Sequence, residues 1–300
     1  MKKVIGVVAA VIVALGVAGF VTLHAVSASG EPAKPKAVAV VKVATSTKTY
    51  SMTVAGLKRS YEVIAPVKAP PKSAPVIVVL GGIGSTASGE ASRDDLIPYA
   101  AANLAEFVYP QGFGDSWNAG DCCGAAATKN VDDLAFIKAL VVAVDPGHAR
   151  SVYVVGYSNG ARMAYRVACD DPGLFDAYAM VKGGPTTGCV ILKPVTILQI
   201  AAVDDPEIPY EPGDKGIEPL PMTTLVTDLQ AADKCTVKSV VTHSGSMVQS
   251  TWPTCGNGTR LAFAVWKTGV HSFPRPPASV PAAAQVIWAF FTNSALAPLP

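Results

Sequence analysis

Gly156-Tyr157-Ser158-Asn159-Gly160 sets a serine between two glycines where two unlike stretches meet. Ser151-Val152-Tyr153-Val154-Val155, just before it, reads as a short buried strand, and residues 161–168, just after, read as a helix. A serine at the tip of a sharp strand-to-helix turn is presented for attack, and its neighbours must approach closely without side chains. A hydroxyl is a weak nucleophile until a base takes its proton. The chain offers four histidines: His24, His148, His243 and His271. His148 lies in the loop that enters the strand before Ser158, His243 falls within an expected strand, and His271 follows the last expected strand, residues 260–266. Loops that follow parallel strands share one edge of the sheet, where ligands bind. Ser158 and His271 fall on that edge and His148 on the opposite one. An orienting acid should also follow a strand. Asp204 and Asp205 do so, after the strand expected over 194–200, and either could serve, leaving the other as a solvated loop charge.

This set of residues does acyl transfer. Ser158 attacks an ester carbonyl, His271 acts as general base and then general acid, and the aspartate fixes the imidazole tautomer. The oxyanion needs preset N–H donors. Asn159, directly after the nucleophile, supplies one, and Ile83 in the turn Gly81-Gly82-Ile83-Gly84 supplies the other. The glycines of that turn match neither G-x-G-x-x-G nor the P-loop, so they make no case for phosphate. The chemistry requires no metal and no organic cofactor, and none is expected. Asp132 and Asp133 look like carboxylates for catalysis, but they open a helix behind Asn130, where capping and first-turn charge account for them.

The elements that must position these groups alternate along the chain. Pro75-Val76-Ile77-Val78-Val79-Leu80 is a continuous apolar run, the mark of a strand buried on both faces. Further strands are expected over 58–64 (an edge strand ended by Pro66), 106–110, 177–181 and 194–200. Helices are expected over 92–106 with a break at Pro98, from Asn130 to Val144, over 223–234 and over 282–293. In the last of these, Val286, Ile287, Phe290 and Phe291 form a core-facing stripe. The alternation implies an α/β fold with a mainly parallel sheet covered by helices on both faces.

With 300 residues, 50% hydrophobic and 15% charged, the chain is long enough for one large domain, taken as residues 49–300. A net charge of +2 with scattered Lys and Arg gives no case for nucleic acid, and no protein partner is inferred. Met1-Lys2-Lys3 precedes an uncharged stretch, residues 4–23, and small residues offer a cleavage site after Ala28. Residues 1–28 are therefore expected to be a signal peptide, or a membrane anchor if they stay attached. Residues 29–48, rich in Ala, Pro, Lys, Ser and Thr, are expected to be a flexible tether. The expected location is secreted or extracytoplasmic. Six cysteines fit that oxidising setting, and no C-x-x-C pair marks a zinc or redox site. Cys235 and Cys255 are expected to pair. Cys122, Cys123, Cys169 and Cys189 would form two more bonds, in one of two patterns if the adjacent pair, which could join only with strain, is excluded.

From about Arg59 onward the chain resembles the poly(3-hydroxybutyrate) depolymerase and feruloyl esterase family of secreted α/β-hydrolases. The residues that carry the likeness are Trp117-Asn118-Ala119-Gly120 with Cys122-Cys123-Gly124, Val131-Asp132-Asp133-Leu134-Ala135-Phe136-Ile137, Gly156-Tyr157-Ser158-Asn159-Gly160, Asp205-Pro206 with Pro209-Tyr210, and His271-Ser272-Phe273-Pro274. The resemblance implies the α/β-hydrolase fold, a catalytic Ser158-Asp205-His271 set, and a carboxylic ester as substrate. It puts the acid on Asp205. The chain departs from the pattern at Gly81-Gly82 and at Ala201-Ala202, where the family usually has His-Gly. The family's esters range from polyhydroxybutyrate to feruloylated or acetylated polysaccharide; with 7% aromatics, small or oligomeric esters are expected here. The competing class is a catalytically weak cell-surface binding protein on the same scaffold.

Overall fold

The computed structural model of this protein describes residues 43–300, apart from 192 and 217–219. The expected export segment, residues 1–28, and residues 29–42 of the expected tether lie outside the described residues. The strands are β1 (Thr45–Val54), β2 (Leu57–Pro66), β3 (Val76–Leu80), β4 (Glu106–Pro110), β5 (Val152–Tyr157), β6 (Ala177–Val181), β7 (Ile197–Ala202), β8 (Val240–Ser244), β9 (Met247–Trp252) and β10 (Leu261–Trp266). The α-helices are α1 (Ala87–Ala91), α2 (Ile97–Ala101), α3 (Gly124–Thr128), α4 (Asp133–Val144), α5 (Asn159–Asp170), α6 (Met222–Ala232) and α7 (Ala283–Thr292).

All ten strands join in one sheet, in the order β1-β2-β4-β3-β5-β6-β7-β10-β9-β8. The six central strands, β4 to β10 in that order, run parallel. Antiparallel hairpins flank them on both sides. The apolar runs work as their composition requires. In β3, Val76, Val78 and Leu80 enter one core with α4, α5 and α6, while Ile77 and Val79 enter the other with α1, α2 and α7. Side chains alternate across a strand, so a run with no polar position is covered on both faces. The α7 stripe of Val286, Ile287, Phe290 and Phe291 is buried as expected.

Several local expectations need correction. The edge strand is β1, not β2. It begins at Thr45, inside the segment expected as tether, and pairs with β2 residue for residue from Thr45–Pro66 to Val54–Leu57. Ala55 and Gly56 close this hairpin, both at positive φ. An exposed strand carries the same Thr, Ser and Lys composition as a linker, which is why the boundary was misplaced. Of the helix expected over 92–106 only α2 forms, α1 lying just before that range, and Pro98 lies in the first turn of α2, where a missing N–H breaks no bond. Asp132, not Asn130, caps α4, its carboxylate accepting from Ala135 N at 2.9 Å.

Asp133 is more than a first-turn charge. It is fully buried, pairs with the Arg59 guanidinium at 2.7 Å and accepts from Asn118 N at 2.8 Å. Cys235 pairs with Cys255 as expected. The remaining two bonds are Cys169–Cys189 and the adjacent Cys122–Cys123, so neither of the two patterns that exclude neighbours forms. Cys169 near the end of α5 has its Cα 5.6 Å from that of Cys189, and these two satisfy each other. The Cys122–Cys123 peptide is cis, with the two Cα atoms 3.1 Å apart.

Candidate active site

The turn between β5 and α5 holds Ser158 at φ +52° and ψ −117°, a strained backbone for a residue with a side chain. Close packing around the turn explains its glycines. A side chain on Gly160 would run into the carbonyls of Leu80 and Gly81. Ser158 N donates to Val181 O at 2.9 Å, which ties the turn to the end of β6.

His271 reaches this serine from the loop after β10. Its Nε2 lies 2.8 Å from Ser158 Oγ, and its Nδ1 lies 3.2 Å from both carboxylate oxygens of Asp205. With the ring proton on Nδ1, Asp205 accepts from His271, and Nε2 is left to accept from the serine hydroxyl. Asp205 also accepts from Glu207 N at 3.0 Å and Ile208 N at 3.2 Å. Burial raises its carboxyl, but the hydrogen bonds from His271 and Glu207 and the nearby Lys182 charge outweigh this and hold it below the ordinary carboxylate value. The Tyr157 hydroxyl donates to His271 O at 2.7 Å and steadies the loop from the other side.

The three sequence-expected residues thus meet in one hydrogen-bonded line. Asp204 stands outside it, but it is not merely a solvated charge. Its carboxylate accepts from Gly269 N at 2.6 Å, in the stretch leading to His271. His148 is exposed in the loop before β5, and His243 is exposed on the outermost strand β8.

The turn after β3 lies against the serine. A Cβ added to Gly82 would sit 2.9 Å from the Tyr157 ring and 3.4 Å from Ser158 Cβ, so only glycine lets the turn approach this closely. Ile83, next in the turn, is 56% exposed, and Asn159 is buried. The Asn159 side chain accepts from Trp117 N at 2.7 Å and donates to Trp117 O at 3.0 Å. The Trp117 indole N–H donates to Gly81 O at 3.0 Å. One tryptophan therefore links the residue after the serine to the glycine turn that faces it. A cavity of about 510 Å³ lies behind the His271 loop, lined by Tyr157, Lys182, Trp266 and Phe273 among others. Ser158 does not line it. Among the described residues no cluster of His, Cys, Asp and Glu could hold a metal ion.

No protein-family model matches the sequence. Curated relatives do. The chain is 30% identical over 200 residues to NocK of Nocardia uniformis subsp. tsuyamanensis, a protein that carries an esterase designation; the match covers 60% of this chain and 57% of NocK. It is 31% identical over 117 residues to feruloyl esterase C of Emericella nidulans, covering 38% of this chain and 40% of that one. Against a protein designated probable feruloyl esterase C from Aspergillus terreus it is 27% identical over 198 residues, covering 65% of this chain and 67% of that one. Acetyl xylan esterase from Aspergillus awamori superposes with a TM-score of 0.55 at 14% identity, over 82% of this chain and all of that one, which bears on the fold. This chain adopts the α/β-hydrolase fold. The match to NocK spans little more than half of that relative's length.

Sequence reasoning missed three side chains of this α/β-hydrolase. Lys182 directly follows β6 and is 1% exposed beside Asp205. A charge at the end of a buried parallel strand, on the edge that binds ligands, was a signal available in the sequence. Glu207 places Oε2 3.6 Å from His271 Nε2 and is half-exposed. Trp117 was noted as part of a motif, but its two-way link to Asn159 and Gly81 depends on loop geometry that composition does not encode.

Proposed function

We propose that this protein is an extracytoplasmic serine esterase that hydrolyses carboxylic esters through Ser158, His271 and Asp205. The hydrogen-bonded line from Ser158 Oγ through His271 to Asp205 carries the reading. Ser158 Oγ bonds to the ester carbonyl carbon as its proton passes to His271 Nε2. Asp205 keeps the ring oriented and stabilises its cation. The carbonyl oxygen, now an oxyanion, accepts from the backbone N–H groups of Asn159 and Ile83. The carbonyl reforms, the ester C–O bond breaks, and the alcohol leaves with the proton from His271. Water then attacks the acyl-enzyme while His271 takes its proton, and that proton returns to Ser158 as the acid departs.

Substrates of feruloyl, acetyl or 3-hydroxybutyryl type, small or oligomeric, fit this reading, and the relatives named feruloyl esterase C favour the feruloyl class. Three disulfides among the described residues support an oxidising compartment. No helix among the described residues is long and apolar enough to cross a membrane. Hydrolysis of p-nitrophenyl acetate, methyl ferulate and 3-hydroxybutyrate oligomers tests the proposal. Turnover of at least one, lost in Ser158→Ala, is expected; retention of that turnover in Ser158→Ala would overturn it.

A further inference from the structure

Lys182 is a buried cation in contact with the acid of the proposed triad. It takes φ +51°, a left-handed backbone that a residue with a side chain adopts under strain. Its side chain is 1% exposed. Nζ lies 3.3 Å from Asp205 Oδ2, donates to Gly269 O at 3.2 Å, and donates to Val270 O. An ammonium has three N–H groups, and three acceptors surround this one. Burial draws the lysine below its ordinary value, while the Asp205 charge pulls it back. The neutral amine would bring one donor too few for these acceptors, so the group is an ammonium.

The acceptors fall on two loops. Asp205 belongs to the loop after β7, and Gly269 and Val270 lead directly into His271. A single side chain thus joins the acid to the backbone that carries the base. It also shares the carboxylate with the imidazole, since Oδ2 serves both Lys182 and His271.

We infer that Lys182 is a positioning residue that holds the His271 loop against Asp205 and takes up part of the Asp205 charge. The inference rests on the triad reading and deepens it. Without Lys182 the full carboxylate charge would act on the imidazole and hold its protonated form more strongly. With Lys182 present, the ring stays oriented by Asp205 while the ammonium meets part of the same carboxylate charge. The other groups facing His271 are Glu207 from the loop after β7, and Ser158 and Tyr157 from the turn before α5. Glu90 and Arg93 lie beyond Tyr157. Glu207 is half-exposed, so water screens its charge.

Two variants test the inference. Lys182→Met keeps the length of the side chain and removes its charge and donors. Lys182→Gln keeps N–H donors on a side chain one atom shorter, removes the charge and adds a carbonyl oxygen. Nuclear magnetic resonance of histidine-labelled protein follows the His271 ring through its titration, the signal assigned by its loss in His271→Asn. Both variants are expected to move the titration midpoint of that ring up by about one pH unit. The acid limb of kcat/KM should move up with it, with kcat reduced and KM little changed. An unmoved midpoint in folded Lys182→Gln would overturn the proposal, and so would failure of both variants to fold, which would make the lysine a part of the fold alone. The ring titration needs no turnover. Wild-type protein that cleaves no ester would therefore sink the triad reading, while a raised midpoint in the variants would still establish the coupling of Lys182 to His271.

Discussion

Asn159 and Trp117 are joined by two hydrogen bonds, the Asn159 amide accepting from Trp117 N at 2.7 Å and donating to Trp117 O at 3.0 Å. The sequence reading used Asn159 only for its backbone N–H. Its side chain also anchors the loop whose indole holds Gly81 O at 3.0 Å. The two proposed oxyanion donors, Asn159 and Ile83, are thereby set relative to each other through Trp117. Trp117→Phe removes the indole donor and keeps an aromatic ring beside Phe136, with which Trp117 stacks. A small misplacement of catalytic groups costs on the order of 10- to 100-fold, so kcat should fall by that amount with KM nearly unchanged. Steady-state kinetics on p-nitrophenyl acetate checks this, and an unchanged kcat would show that the indole bond does not set the donors.

Asp204 and Asp205 are neighbours with different tasks. Asp205 meets the His271 ring, and Asp204 accepts from Gly269 N. Asp205→Asn should lower kcat by about 10⁴, because an amide in that place favours the wrong imidazole tautomer. Asp204→Asn retains a carbonyl oxygen to accept from Gly269 N and should cost far less. Equal losses, or the reverse order, in kcat measured side by side would reassign the acid.

The central architecture was legible because its signals are local and strong. Apolar runs such as Pro75–Leu80, alternating with helical patterns, define a parallel sheet, and the order of strands and loops puts Ser158 and His271 on one edge. The residues alone left Asp204 and Asp205 open, since both follow β7, and only the resemblance favoured Asp205. The edges were harder to read. β1 is an exposed strand whose polar residues are held by pairing with β2, and composition cannot tell that from a linker. Lys182 was overlooked because its three acceptors come from segments 23 to 88 positions away in sequence, including Asp205 and Val270.

Asp94 gives the fold a pH dependence separate from catalysis. It is 1% exposed, accepts from Tyr109 Oη at 2.7 Å and from Leu96 N at 2.9 Å. Burial raises its carboxyl to about 7, despite those hydrogen bonds. An acid raised in this way binds more protons in the folded state than in the unfolded one between its unfolded value, about 4, and its folded value. Stability therefore falls as pH rises through that window, up to the folded value of about 7. Asp233, raised by burial to about 6, acts in the same direction. Asp94→Asn removes the ionisation, so urea unfolding should show a smaller drop between about pH 5 and about pH 8 than in the wild type. Parallel drops in the two proteins would show that Asp94 does not carry the effect.

The proposed esterase activity depends on a nucleophile whose base and oxyanion donors are already in place. A fluorophosphonate probe reports on this directly, because its adduct with serine mimics the tetrahedral intermediate. Folded, disulfide-intact protein should label at Ser158, and peptide mapping should locate the adduct there. Labelling should disappear on heating and in Ser158→Ala. Absence of labelling over hours, while a control esterase labels under the same conditions, would contradict the enzyme reading and favour a binding protein on this scaffold.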